Sequence, residues 1–161
     1  MRVLAIDPGF ERIGIAVLER GVPRETLVYS ACFTTSSKLP FEERLVLIGK
    51  EINRVIDLHH PDALAVETLF FNNNQKTAMR VAEARGVIIH TGVSRRLAFY
   101  EYTPLQIKIA VAGYGKASKN QVASMVKKLL TISNTAMHDD ETDAIALGIT
   151  CLASERVRKG S

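Results

Sequence analysis

Cysteine is nearly absent: Cys32 and Cys151 are the only two in 161 residues. A disulfide framework is therefore excluded, neither thiol has a metal-ligand partner nearby, and a reducing, cytoplasmic setting is expected. Long apolar runs are missing too. Nothing approaches the ~20 residues of a membrane span, and Asp7 interrupts the first apolar stretch, so no signal-peptide pattern opens the chain. No membrane partner is expected. Internal repeats and low-complexity tracts are lacking as well. A net acidic balance is also missing, since 21 Lys and Arg against 17 Asp and Glu leave a charge of +4. That permits a polyanionic partner without requiring one.

What is present is an ordinary globular composition, 47% hydrophobic and 24% charged, in a length that makes one domain with a real core. Strands are expected at 2–7, about 12–19 and about 26–34, with Gly21 and Pro23 punctuating the last connection. From Pro40 to Leu58 the apolar residues Leu45, Ile48, Ile52 and Val55 recur at helical steps, and Pro61 ends the element. Ala63 to Val66 is a short strand ending on Glu67, a loop with Phe70 and Phe71 follows, and a helix runs from about Lys76 to His90. Ala98 to Tyr102 is a further strand. Thr103-Pro104-Leu105-Gln106 and Ser118-Lys119-Asn120-Gln121 are two capping-box matches. The second opens a helix to about Leu130. The last helix begins near Asp139 and continues through Leu152, before a polar, frayed tail. Hairpin strands followed by alternating strands and helices predict an α/β fold, a mixed sheet flanked by helices. In such sheets ligands collect at the carboxyl ends of the strands, where Asp7 and Glu67 both fall.

Asp7, followed by Pro8 and Gly9, ends an apolar run. A carboxylate there is costly without a cation, although a turn-capping Asp would read the same way. Glu67 repeats the pattern. The third acidic feature is Asp139-Asp140-Glu141-Thr142-Asp143, in which Asp140 and Asp143 share a helical face that Ala144 and Leu147 continue. Dipole complementation accounts for Asp139 and Glu141, and poorly for Asp143 amid Ala and Ile. Together these make four acids converging on one sheet edge. Unneutralised, they would raise one another's pKa. Carboxylate-only ligation selects hard ions such as Mg²⁺ or Mn²⁺, and two such ions about 4 Å apart serve phosphodiester hydrolysis. On this reading Asp7 is a bridging ligand and Gly9 leaves room for substrate backbone.

The chain resembles the RuvC family of Holliday junction resolvases, in the RNase H-like superfamily. The matching motifs are Asp7-Pro8-Gly9 with Gly14, Ala65-Val66-Glu67 leading into Phe70, and Glu83-Ala84-Arg85-Gly86-Val87. Tyr102 through Gln106-Ile107-Lys108, Gly113-Tyr114-Gly115, Ser118-Lys119-Asn120-Gln121-Val122 and Asp140-x-x-Asp143-Ala144 complete an ordered set across residues 1–153. The resemblance implies an RNase H-like domain over 1–155 with a polar tail at 156–161. It implies a homodimer that nicks two opposed strands of a four-way junction, leaving 5′-phosphate and 3′-hydroxyl ends, and that works with the RuvA–RuvB branch-migration complex. Asp7, Glu67, Asp140 and Asp143 become the metal-binding catalytic acids, with Mg²⁺ or Mn²⁺, two ions per site, as cofactor. Asp139 also shares a face with Asp143 and stays open as the alternative to Asp140. Lys108 and Lys119 match basic residues beside the active site, and Phe70 matches an aromatic that stacks on bases at the crossover.

Phe70 suits base stacking, worth ~1–3 kcal/mol per base, while Phe71 reads as core or wedge support. Lys119 follows an N-cap, where a cation opposes the helix dipole and needs an anion, such as phosphate, to compensate. Asn73, Arg80, Arg85 and Lys116 complete the expected DNA surface; backbone contacts of this kind give affinity with little sequence information. Three other functions compete: an ATP-binding domain of the actin or sugar-kinase type, which needs two lobes where one is expected here; a generic RNase H nuclease; and a junction scaffold with a decayed site, which would lack a carboxylate. None is missing.

Overall fold

The structure, a computed structural model, describes residues 1–69, 75–130 and 137–159, with side chains omitted at 75–76 and 156–159. Five strands, β1 (Arg2–Asp7), β2 (Arg12–Glu19), β3 (Thr26–Thr34), β4 (Ala63–Glu67) and β5 (Ala98–Tyr102), form one sheet in the order β3-β2-β1-β4-β5. β1, β2 and β3 are antiparallel hairpin partners, whereas β4 runs parallel to β1 and to β5. This is the mixed sheet expected. The helices are α1 (Phe41–His59), α2 (Gln75–Ser94), α3 (Pro104–Ala112), α4 (Lys119–Leu130) and α5 (Asp139–Lys159).

Period-two alternation divides the strand residues between two cores. Leu4, Ile6, Ile13, Ile15, Leu64 and Val66 pack with Ile48, Ile52 and Val55 of α1 and Ala84 and Ile88 of α2. Val3, Ala5, Ala16, Ala63 and Ala65 face the other way, against α3, α4 and α5, among them Ile107, Val126, Ile145 and Leu147. That second face is rich in alanine, and short side chains let a helix lie close to a sheet.

Both expected capping boxes form. Thr103 Oγ1 accepts from the Gln106 N–H at 3.2 Å while Gln106 Oε1 accepts from the Thr103 N–H at 2.8 Å. Ser118 and Gln121 repeat the exchange at 3.3 and 2.9 Å. Two helices run further than their sequence pattern indicates. α2 extends to Ser94 instead of His90, and α5 to Lys159, through residues read as a frayed polar tail. In α2 the added turn is held by packing, with Thr91 buried, which extends a helix beyond what its composition alone supports.

Candidate active site

Asp7 and Glu67 prolong the alanine-rich rows of β1 and β4: Val3, Ala5 and Asp7 alternate along one strand, Ala63, Ala65 and Glu67 along its parallel neighbour. Ile6 pairs with Val66, so the two carboxylates end adjacent strands on the face that α5 covers. Gly14, paired with Asp7 across the β1–β2 ladder, decides how near α5 comes. A Cβ at Gly14 would lie 1.8 Å from the Asp140 carbonyl oxygen and 3.2 Å from the Asp7 Cβ. Only glycine lets the first turn of α5 settle there. Gly9 has a task within the chain: its Cβ would meet the Arg12 carbonyl oxygen at 2.0 Å, so Gly9 closes the β1–β2 turn.

Electrostatics register the convergence. Burial, then Glu67, Asp143 and Asp140, push the Asp7 carboxyl up to about 8, with Lys119 opposing. Burial and then Asp143 push Glu67 up to about 7, again against Lys119. The acidic run of α5 is sorted by partners. Glu141 Oε1 accepts from Ser30 Oγ at 2.5 Å, a tie to β3. Asp143 Oδ2 accepts from Lys119 Nζ at 3.0 Å. Asp140 Oδ2 accepts from Arg12 Nε at 2.7 Å and from its Nη2, with the Cys32 thiol at 3.7 Å. Asp139 is exposed. Of these two candidates, Asp140 is the one whose charge bears on Asp7; Asp139 acts on Lys119 and Arg12.

A cleft of about 100 Å³ opens beside the acids, lined by Glu67, Asp143, Lys108 and Lys119 with Pro104, Ile107 and Val122. Both lysines expected near the acids are at this cleft. The anion that compensates Lys119 at its helix start is Asp143 of this same chain. Lys116 is exposed on the connection between α3 and α4. Arg80 borders a separate hollow of about 400 Å³ with Phe10, Thr77, Met79 and Glu83, its guanidinium 5.8 Å from the Phe10 ring and 5.2 Å from that of Phe41. Arg85 is engaged internally: Nε donates to the Glu67 carbonyl at 3.1 Å and Nη2 to Glu101 at 2.6 Å, which braces the end of β4. Phe70, Phe71 and Asn73 lie outside the described residues.

The donor chemistry suits a hard divalent cation, since every candidate ligand is a carboxylate and two are half-buried among like charges that such an ion would relieve. Among the described residues, no group of three or more His, Cys, Asp and Glu side chains stands ready-made to hold a metal. Arg12 and Lys119 instead take up two of the four acids. The Arg12 pairing bridges 128 positions, and no sequence signal marked it.

Comparison with known proteins bears on the whole chain. The family model for crossover junction endodeoxyribonuclease RuvC matches residues 3–151. Among curated proteins, the crossover junction endodeoxyribonuclease RuvC of Halothermothrix orenii is 45% identical over 149 residues, covering 92% of this chain and 90% of its own length. That of Finegoldia magna is 46% identical, covering 92% and 91%. The structure of T. thermophilus RuvC in complex with a Holliday junction substrate superposes with a TM-score of 0.92 at 31% identity, over 98% of this chain and 96% of that one.

Proposed function

This chain belongs to the RuvC family of crossover junction endodeoxyribonucleases, and from that premise we propose that it resolves four-way DNA junctions by paired, symmetric, metal-dependent nicks. The reading rests on one observation above all: Asp7 and Glu67, half-buried at neighbouring strand ends, converge on Asp143, whose charge helps push both carboxyls up, to about 8 and about 7. T. thermophilus RuvC is seen with a Holliday junction substrate, which supports junction DNA as the ligand here.

Asp7, Glu67, Asp143 and Asp140 would hold Mg²⁺ or Mn²⁺, and two such ions supply an activated water and charge stabilisation at the leaving oxygen, leaving 5′-phosphate and 3′-hydroxyl ends. Lys119 and Lys108, at the rim of the cleft, present ammonium groups to the non-bridging phosphate oxygens, where fixed cations act most strongly. Phe70 stacks on a base at the crossover, with Phe71 behind it. Asn73, Arg80 and Lys116 contact the phosphate backbone; Arg85 joins them only by leaving Glu101. The nuclease domain spans 1–155, with 156–161 as a polar C-terminal end, and a homodimer presents two sites to opposed strands. The RuvA–RuvB complex is its partner on junctions, and the cytoplasm its compartment. Among the described residues no helix is long and apolar enough to cross a membrane.

A synthetic four-way junction and a linear duplex, each with and without Mg²⁺ or Mn²⁺, test the reading. Metal-dependent paired nicks in the junction alone are expected. Equal cutting of the linear duplex would end it.

A further inference from the structure

The two cations of the site are not alike. Lys119 offers one ammonium to Asp143 at 3.0 Å. Arg12 offers a fork: Nε and Nη2 both donate to Asp140 Oδ2, and the Cys32 thiol approaches the same oxygen at 3.7 Å. Among the described residues no hydrogen bond reaches Asp140 Oδ1, so one oxygen is saturated and the other left over.

We infer that Arg12 is a positioning residue that partly masks Asp140, competing with a metal ion for its charge until DNA phosphate draws the guanidinium away. The inference rests on the metal reading given above. Charge supports it first. Once a metal ion has displaced the protons of Asp7 and Glu67, four ionised acids less the charges of the two cations paired with them, Lys119 and Arg12, leave minus two, which a single divalent ion balances. Two ions call for more negative charge, and the displacement of Arg12 releases it. Exposure supports it next. The Arg12 side chain is 54% exposed and that of Asp140 26%, so the pair lies where an incoming strand reaches it. Finally, a guanidinium fork matches phosphate as well as carboxylate, and Arg12 opens β2 on the turn that follows Asp7. A phosphate near the acids is therefore an alternative partner of the same geometry. Loading of the second ion becomes coupled to the arrival of substrate.

Calorimetric titration of Mn²⁺ into the DNA-free chain reads this directly, apart from catalysis. Arg12→Ala should take up Mn²⁺ roughly three- to tenfold more tightly than the unmodified chain, or bind an additional ion, because a competing cation is gone. In an Asp140→Asn background the same replacement should add nothing, since the effect passes through that carboxylate. Arg12→Lys, which keeps the charge and loses the fork, should fall between. Unchanged uptake in Arg12→Ala, or an equal gain in the Asp140→Asn background, overturns the masking role. Lys behaving as Arg does would reduce it to charge alone and overturn the fork. No uptake by any of the chains would instead sink the metal reading itself, and masking with it.

Discussion

Strand-borne and helix-borne acids solve the same problem in opposite ways. Asp7 and Glu67 are fixed by a hydrogen-bonded ladder, half-buried, and pushed up by desolvation and the charge of Asp143, to about 8 and about 7. Asp140 and Asp143, on one face of α5, each hold a cation of their own. The strand pair is costly for the folded state and poised for an ion. The helix pair is already satisfied. On the proposed metal reading, a site built from both would have ligands whose positions are set and ligands that must exchange partners to engage.

Removing a strand acid strikes the comparison hardest. Asp7→Asn should lower junction cleavage by on the order of a thousandfold, because it deletes a ligand shared by the reacting centre. Junction binding in a gel-shift assay should survive, since the DNA surface is intact. On the helix side, Lys119→Ala should cost roughly ten- to a hundredfold in single-turnover cleavage, through the lost cation at the phosphate. Gly14→Ala tests the junction between the two halves. Its methyl group meets the Asp140 carbonyl, so the start of α5 must lift, at about 1–3 kcal/mol of stability in denaturant unfolding.

A further test of the strand acids concerns pH in metal-free protein. Unfolded carboxyls lose their protons near about pH 4, whereas folded Glu67 and Asp7 do so at about 7 and about 8. The folded chain therefore binds extra protons in between, and its thermal stability should fall as pH rises across that window. Added Mn²⁺ should flatten the slope. A slope of the opposite sign would show the strand acids to be paired after all.

Much of this is legible in the sequence. Asp7 and Glu67 stand out because an apolar strand that ends in a carboxylate breaks its own pattern. The capping boxes at Thr103 and Ser118 are local, so four consecutive residues suffice to read them. Arg12 escaped because its partner lies 128 residues away, and the spacing of charges along a chain says nothing about such a pairing. The same holds for Arg85, which reads as a free DNA contact yet ties the end of β4 to Glu101. At Gly9, only the fold shows that the near neighbour is the Arg12 carbonyl. The distal end of α5 was read short because its last residues are polar, while its first half is held by Ile145 and Leu147.

The row of alanines beneath α5 has a further consequence. Ala5, Ala16, Ala63 and Ala65 act as a spacer of minimal thickness, so the height of the helix above the sheet is written into residues that carry no chemistry. Bulkier apolar side chains there would satisfy the core equally well by hydrophobicity. They would also hold Asp140 and Asp143 away from Asp7 and Glu67, and no change in the loops could bring them back.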